Sequence, residues 1–303
     1  MTRTLAPIAA AMMAMGFAGP AMAASCLTVS GSPATPAIPQ WNPLDGQPVE
    51  VTLNATVTRE SASTKSAQWI FLDNSNATPP QIGTTGPRYE ILNVSSGSAK
   101  ISWPKGTSPA TGVQVQFNNK NDATINIKVR ILGNNGENFT GGTRFQETLA
   151  YAAQCFKANG GDNGLDSFGQ SGLRLDLTIP KVLSISTSSA AEINFGNFSN
   201  NKEKAIIRLF STSPLKVSAA TVNNGKLMAG TSTADNAVIP YQMQFGVDGA
   251  SLKSLPIGTT IDADQAGVGG NNYALNLTLA GSGATGKIAG TYSDTITLTI
   301  TPE

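Results

Sequence analysis

The chain has no histidine in 303 residues, which removes histidine-based catalytic triads and histidine-ligated metal sites at once. Charge is scarce too: 13% of residues are charged, against a usual ~25%, and the net charge is +1. So sparse a charge gives no electrostatic footprint for nucleic acid or an anionic membrane. There are two cysteines and three tryptophans, and Trp41, Trp69 and Trp103 all fall in the first half. No apolar run, the one at the start included, reaches the roughly 20 residues needed to span a bilayer, and no stretch after it keeps helical spacing with capping signals for long. Gly, Ser, Thr, Asn and Pro fill the space left by charge. The 40% of hydrophobic residues recur in patterned blocks, which argues against disorder and for many short strands joined by turns.

Residues 1–23 have the form of a cleaved export signal. Arg3 opens it, Leu5 to Gly19 is apolar, and Ala21 and Ala23 occupy the small-residue positions read by signal peptidase. A lipoprotein is the lesser alternative, because Ala24 and Ser25 precede Cys26, but Ala23 stands where such signals carry a larger aliphatic residue. Export places Cys26 and Cys155 where disulfides form and persist, so they are expected to pair and to fasten the two ends of one domain. The remaining chain is long enough for two domains of roughly 100–150 residues each.

Strand-like runs occupy Val49–Thr58, Gln68–Leu72, Ala99–Trp103, Val113–Phe117, Thr124–Leu132 and Thr148–Cys155. In the clearest, Ile125, Ile127, Val129 and Ile131 alternate with polar residues and so share one face, as in a half-buried strand. The glycine-rich, polar stretch 157–172 reads as a flexible linker. Strands resume at Leu173–Thr187, Glu192–Phe198, Ala205–Phe210, Leu215–Val222, Val238–Val247, Tyr273–Ala280 and Ser293–Thr301, with Asn223-Asn224-Gly225 as a hairpin turn. The expected architecture is all-β: a β-sandwich over 24–156, a linker, and a second β-sandwich over 173–303.

Catalytic motifs are weak. Ser199-Asn200-Asn201-Lys202 and Ser213-Pro214-Leu215-Lys216 have Ser-x-x-Lys spacing, but the companion motifs of that enzyme class are missing. Gly281 to Gly286 fits a dinucleotide glycine pattern with no helix pattern after it, and is better read as a turn. Asp262-Ala263-Asp264 begins like a calcium loop, yet Ala266 and Tyr273 stand where oxygen ligands are required. No enzyme, metal or cofactor is expected.

The last run, Thr295-Ile296-Thr297-Leu298-Thr299-Ile300-Thr301, alternates without a break. It either completes a sheet or borders an open groove that a strand from another chain fills. Gly290-Thr291-Tyr292-Ser293-Asp294-Thr295, together with the alternating strand after it, resembles the terminal strand of bacterial spore-coat-U-type proteins, which include subunits of archaic chaperone–usher pili. Ile193-Asn194-Phe195-Gly196-Asn197-Phe198 resembles that family's early Phe-Gly strand, and Ile239-Pro240-Tyr241-Gln242-Met243 its central Tyr strand. The family's usual cysteines near the Phe-Gly strand are absent. The resemblance covers 173–303 and implies an incomplete immunoglobulin-like pilin domain. Ile296, Leu298 and Ile300 would line its strand-accepting edge. The implied partners are a periplasmic chaperone, an outer-membrane usher and an adjacent pilus subunit that donates a strand, with no nucleic acid among them.

Cys26 stands close behind the expected cleavage site, and no donor extension is expected before it. A subunit that accepts a strand without donating one belongs at a fibre's distal end, so the layout resembles a two-domain tip adhesin, exported through the periplasm to the cell surface. Its first domain would bind a receptor through proline-stiffened loops, with Pro79, Pro80, Ile82, Trp103 and Pro104 as candidates and an exposed Ile or Trp supplying apolar contact. Trp69 is expected in the core, while Trp103 and Trp41, each beside turn residues, are open between core and surface. A structural or adaptor pilus subunit and a free-standing secreted lectin or enzyme are the rival readings.

Overall fold

The computed structural model describes residues 26–30, 35–75, 77–94, 99–104, 107–108, 112–134, 136–186, 191–250, 252–281 and 284–303, with the backbone alone along 163–171. The expected signal segment 1–23 lies outside them, as do parts of the 76–83 and 103–109 loops and of the 281–286 turn. The architecture is all-β, in two modules with separate cores.

The first module contains β1 (Leu27–Ser30), β2 (Val49–Arg59), β3 (Ser66–Asp73), β4 (Tyr89–Asn93), β5 (Ala99–Lys100), β6 (Ser102–Pro104), β7 (Val113–Gln116), β8 (Asp122–Ile131), β9 (Arg144–Phe156) and β10 (Asp162–Thr178). One sheet runs β1-β2-β8-β4-β5 and the other β10-β9-β3-β6, with β7 also on β3. The alternation in β8 buries Ile125, Ile127, Val129 and Ile131 as expected. From the facing sheet come Trp69, Phe71, Leu149 and Tyr151. Trp69 is 0% exposed and packs edge-on against Phe71, with ring centroids 4.8 Å apart. Trp41 is buried as well, against Phe139.

Cys26 and Cys155 are joined across 129 residues of sequence. Cys26 leads into β1 and Cys155 lies in β9, so the buried bond ties the two sheets together.

The stretch expected as a linker is not one. Lys157 to Gly161 make a tight turn, closed by the Lys157 amide donating to the Gly161 carbonyl at 2.9 Å, and β10 then pairs antiparallel with β9 as far as Thr178–Arg144. Two register shifts absorb the glycine-rich part. Gly172 is needed there, since a Cβ would come within 2.9 Å of the Phe71 ring. Leu173, Leu175, Leu177 and Ile179 then alternate into the first core. Local glycine content argued for flexibility; pairing with β9 and burial of these four residues override it. The first module therefore extends through Ile179.

The second module contains β11 (Leu183–Ile185), β12 (Lys202–Ser211), β13 (Leu215–Thr221), β14 (Lys226–Ala229), β15 (Val238–Val247), β16 (Lys253–Ser254), β17 (Thr260–Ala263), β18 (Gly267–Leu279), β19 (Tyr292–Ser293) and β20 (Ile296–Pro302). One sheet runs β11-β12-β18-β15-β14-β19, with β16 on β15, and the other runs β17-β13-β20. Asn224 and Gly225 take the left-handed conformation a tight turn requires (φ 55° and 76°), but the turn delivers β13 and β14 to different sheets instead of closing a hairpin. Glu192–Phe198, expected as a strand, is irregular and ends in a turn.

A polar joint connects the modules. Ser211, Thr212 and Ser213 are buried. The Gly141 amide donates to the Thr212 carbonyl at 2.6 Å, and the Thr212 hydroxyl donates to the Pro180 carbonyl at 2.7 Å. Gln265 donates through Nε2 to the Phe139 carbonyl at 3.2 Å, and the Val268 amide donates to Asn138 Oδ1 at 3.0 Å.

Two outcomes follow for the first module, both readable by calorimetry or urea unfolding of the whole chain. Leu175→Ala lowers the stability of the first module by about 2–5 kcal/mol through the cavity it leaves, and spares the second; a linker residue would leave both unchanged. Replacing Cys26 and Cys155 together by alanine costs the first module about 4–5 kcal/mol by the chain-entropy estimate for so long a loop.

Candidate functional site

The strand β20 is built from alternating threonine and large aliphatic residues, both favourable on a pleated, half-buried surface. It pairs antiparallel with β13, setting Ile296 opposite Thr221, Leu298 opposite Ala219 and Ile300 opposite Val217. Val217, between β17 and β20, and Ala219, beside β20, are fully buried. Their partners Leu298 and Ile300 are only half-buried, though they point to the same core, and so is Ile296. The difference lies in the sheet order: β20 is terminal, and among the described residues no strand pairs with its outer edge. A row of backbone donors and acceptors thus borders a row of half-covered aliphatic side chains. The Lys216 ammonium reaches both Asp262 (3.2 Å) and Glu303 (3.0 Å), bridging the far end of β20 to β17 through exposed, weakly stabilising pairs.

The near end of β20 is held more tightly, by the motif residues. Asp294 accepts from the Asn223 amide at 2.9 Å and, through its other oxygen, from the Tyr241 hydroxyl at 2.7 Å. Asn223 returns a bond from its side-chain amide to the Ser293 carbonyl at 3.0 Å. Tyr292 donates to the Ile288 carbonyl and meets the ring of Phe198 edge-on, with Phe198 stacked on Phe195. Segments around 195–198, 241 and 290–295, far apart in sequence, therefore converge at one end of the module. The Phe-Gly segment serves there as a turn, with Asn194 Oδ1 accepting from the Gly196 amide and Phe198 at φ 61°. No single motif contains this convergence, but its three segments are the ones that carry the resemblance in the sequence, with Asp294 directly before the alternating run.

Burial, then the bond to Asp294, raises the Tyr241 hydroxyl well above the usual tyrosine range, and burial beside Asp264 pushes Tyr273 up to about 12.

In the first module the candidate contact residues divide. Ile82 is 0% exposed: the turn closed by its amide to the Pro87 carbonyl directs the side chain into the core, where an aliphatic group is better placed than in water. This overturns its expected exposure. Pro80 is also buried, and Pro79, after a cis peptide bond, is half-buried. Trp103 remains half-buried on the outer face of β3, over Ile70, Leu72 and Ala152, with the Lys100 ammonium 4.9 Å from its ring centroid; Pro104 is exposed. β3 and β6 run parallel, with Asp73 beside Pro104, so the stretches beginning at Asn74 and Pro104 share one end of the sheet.

No family model matches the chain, and no curated protein does. Among solved structures, the chain is similar to one in the CsuC–CsuE chaperone–tip adhesion subunit pre-assembly complex from archaic chaperone-usher Csu pili of Acinetobacter baumannii (12% identity, 90% of this chain and 100% of that one, TM-score 0.46). It is also similar to the CupB6 tip adhesin from Pseudomonas aeruginosa (10% identity, 91% and 95%, TM-score 0.40). A third likeness is CfaE, the adhesive subunit of CFA/I fimbria of enterotoxigenic Escherichia coli (11% identity, 90% and 88%, TM-score 0.39). Likenesses this distant leave the reading of the β20 edge to the chain's own geometry.

Tyr241→Phe removes a hydrogen bond to a carboxylate and lowers the second module's stability by about 1–2 kcal/mol. A raised tyrosine contributes stability below its unfolded value that is lost as pH rises through the folded one. Thermal unfolding should thus show the second module weakening from the ordinary tyrosine range upward, and Tyr241→Phe should flatten that decline.

Proposed function

We propose that this chain is the tip adhesin of a chaperone–usher pilus. Its second module is an immunoglobulin-like pilin sandwich short of one strand, and an adjacent subunit supplies that strand along β20. The observation that carries the reading is the outer edge of β20, unpaired among the described residues, with Ile296, Leu298 and Ile300 half-covered beside it. An extended segment added there would satisfy the backbone edge and bury the three aliphatic side chains in one step. A periplasmic chaperone covers the same edge before an outer-membrane usher passes the subunit to the cell surface. The spore-coat-U-like motifs support this reading because they hold the near end of β20 in place. A distal position is supported by β1, which is committed to its own module through β2 and the buried disulfide. The first module meets the receptor through the sheet end shared by Pro79, Trp103 and Pro104.

The test uses the full chain, purified with and without a synthetic peptide of alternating aliphatic residues. The peptide at a hundredfold excess over its Kd should stabilise the second module by about 2.7 kcal/mol and leave the first unchanged. Leu298→Asp should abolish that gain, while Trp103→Ala should keep it and reduce attachment of assembled fibres to their surface. A chain equally stable with and without every such peptide sinks the reading.

A further inference from the structure

The free edge of β20 has a property that its proposed use does not call for. Thr295-Ile296-Thr297-Leu298-Thr299-Ile300-Thr301 reads the same from either end, with Leu298 at the centre. An antiparallel neighbour presents its residues in reverse order, so such a strand is complementary to a second copy of itself.

The backbone agrees with that symmetry. β13 and β20 pair in unbroken register, and along an antiparallel ladder alternate residues turn their amide and carbonyl toward one neighbour or the other. The Thr295 carbonyl accepts the Val222 amide at 3.1 Å, and the Glu303 amide donates to the Pro214 carbonyl at 2.8 Å, so the odd-numbered residues face β13. Ile296, Leu298 and Ile300 therefore turn their amides and carbonyls outward. Pro302 belongs to that outward set, so its missing amide takes nothing from the inner ladder. On the core face the same three aliphatic side chains are the half-covered ones, while Thr297 and Thr299 are exposed on the opposite face.

Setting Leu298 opposite Leu298 of a second copy brings Ile296 opposite that copy's Ile300, and Ile300 opposite its Ile296. Each is a pair that exchanges two backbone hydrogen bonds, about six in all. Opposed residues share a face, so aliphatic side chains meet on the core side and Thr297 meets Thr299 of the second copy on the other. A two-fold axis through the Leu298 pair generates the arrangement and closes it at two copies.

Sheet edges are ordinarily blunted by charge or a bulge, and β20 has neither: no charged residue stands between Thr295 and Thr301. Other edge strands differ. β10 carries Arg174 and Asp176, β17 carries Asp262, and β12, which β11 covers only from Leu209 to Ser211, carries Lys202, Glu203, Lys204 and Arg208. β1 is uncharged but only four residues long. The charges at the ends of β20 are engaged within the chain, Asp294 by Asn223 and Tyr241, and Glu303 by Lys216.

We infer that a second copy of this chain pairs with β20 about a two-fold axis at Leu298, joining the two β17-β13-β20 sheets into one. The inference needs the free edge and not the pilus role. A donor strand and a second copy claim the same backbone groups and exclude each other. So short an edge makes a weak dimer that dilution reverses.

Sedimentation equilibrium of the full, disulfide-intact chain over a wide dilution series tests this, with amide hydrogen exchange followed at Ile296, Leu298 and Ile300. The expected result is a monomer–dimer equilibrium in which those three amides gain protection as dimer forms. Thr297→Lys with Thr299→Lys, on the exposed face, sets lysine opposite lysine and should weaken the dimer about tenfold or more. Thr297→Lys with Thr299→Glu sets lysine opposite glutamate in the antiparallel, Leu298-centred register and should keep it. A monomer at every concentration overturns the inference, as does a dimer that tolerates the two lysines or one that both variants destroy. The strand peptide separates this inference from the donor-strand reading. Peptide that stabilises the second module of a chain always monomeric sinks the dimer alone; a dimer whose chain never responds to peptide sinks the donor strand alone. Peptide should dissociate the dimer, and a dimer that persists with peptide bound uses another surface and refutes the pairing.

Discussion

A backbone amide or carbonyl beside a hydrophobic core must find a hydrogen-bond partner or stay in water, and the outer edge of β20 faces that choice along its whole length. Everything else in the second module is arranged around it. β13 takes up the inner edge of β20 in unbroken register, β17 covers the far side of β13, and the larger sheet closes the core from the other face. What remains is a sandwich whose aliphatic side chains are fully covered at Val217 and Ala219 but only half-covered one strand further out. A free edge alone is common; a free edge whose inward residues belong to the core is a liability unless something is meant to cover it.

The first module answers the same constraint differently. Its glycine-rich stretch lies along β9 as β10, and bulges absorb the residues that cannot keep register. The buried disulfide links β1 to β9 across the sandwich, so its two sheets are held by a covalent bond as well as by packing. The terminal strands β1 and β10 bury their inward residues Leu27, Val29, Leu173, Leu175 and Leu177, whereas β20 leaves its own half-covered. That contrast is what makes a division of labour between contact and assembly physically sensible.

Much of this was legible in the sequence, and the failures share a cause. Ile125 to Ile131 and Ile296 to Ile300 were readable because strict alternation fixes both the strand and its buried face. The Cys26–Cys155 pair followed from export and from there being no other cysteine. Residues 157–172 misled because local glycine content says nothing about β9, more than ten residues away at its far end, waiting as a partner. Asn223 to Gly225 supplied the right turn conformation, yet whether a turn closes a hairpin or crosses between sheets depends on which strands flank it in space. Ile82 beside Pro79 and Pro80 looked like a loop tip, although an aliphatic side chain in a tight turn is buried wherever a core lies within reach. In each case the residues stated a local preference and a distant contact decided the outcome.

The joint lies close to the assembly edge along the chain. Ser211, Thr212 and Ser213 are buried between the modules, and the chain passes from them through Pro214 directly into β13, the strand that carries β20. The Glu303 amide, just past β20, donates to the Pro214 carbonyl at 2.8 Å, so the far end of the edge strand is bonded within two residues of the joint. In the proposed role, a pull on a strand lodged against β20 is borne in shear by the β13–β20 ladder and delivered to Thr212. There the load meets the Gly141 amide in the β8–β9 connection and the Pro180 carbonyl just past β10. Ladder hydrogen bonds loaded in parallel must yield together, whereas a hinge of free chain yields residue by residue. A two-module protein that holds a surface with one end and a fibre with the other is better served by the first arrangement.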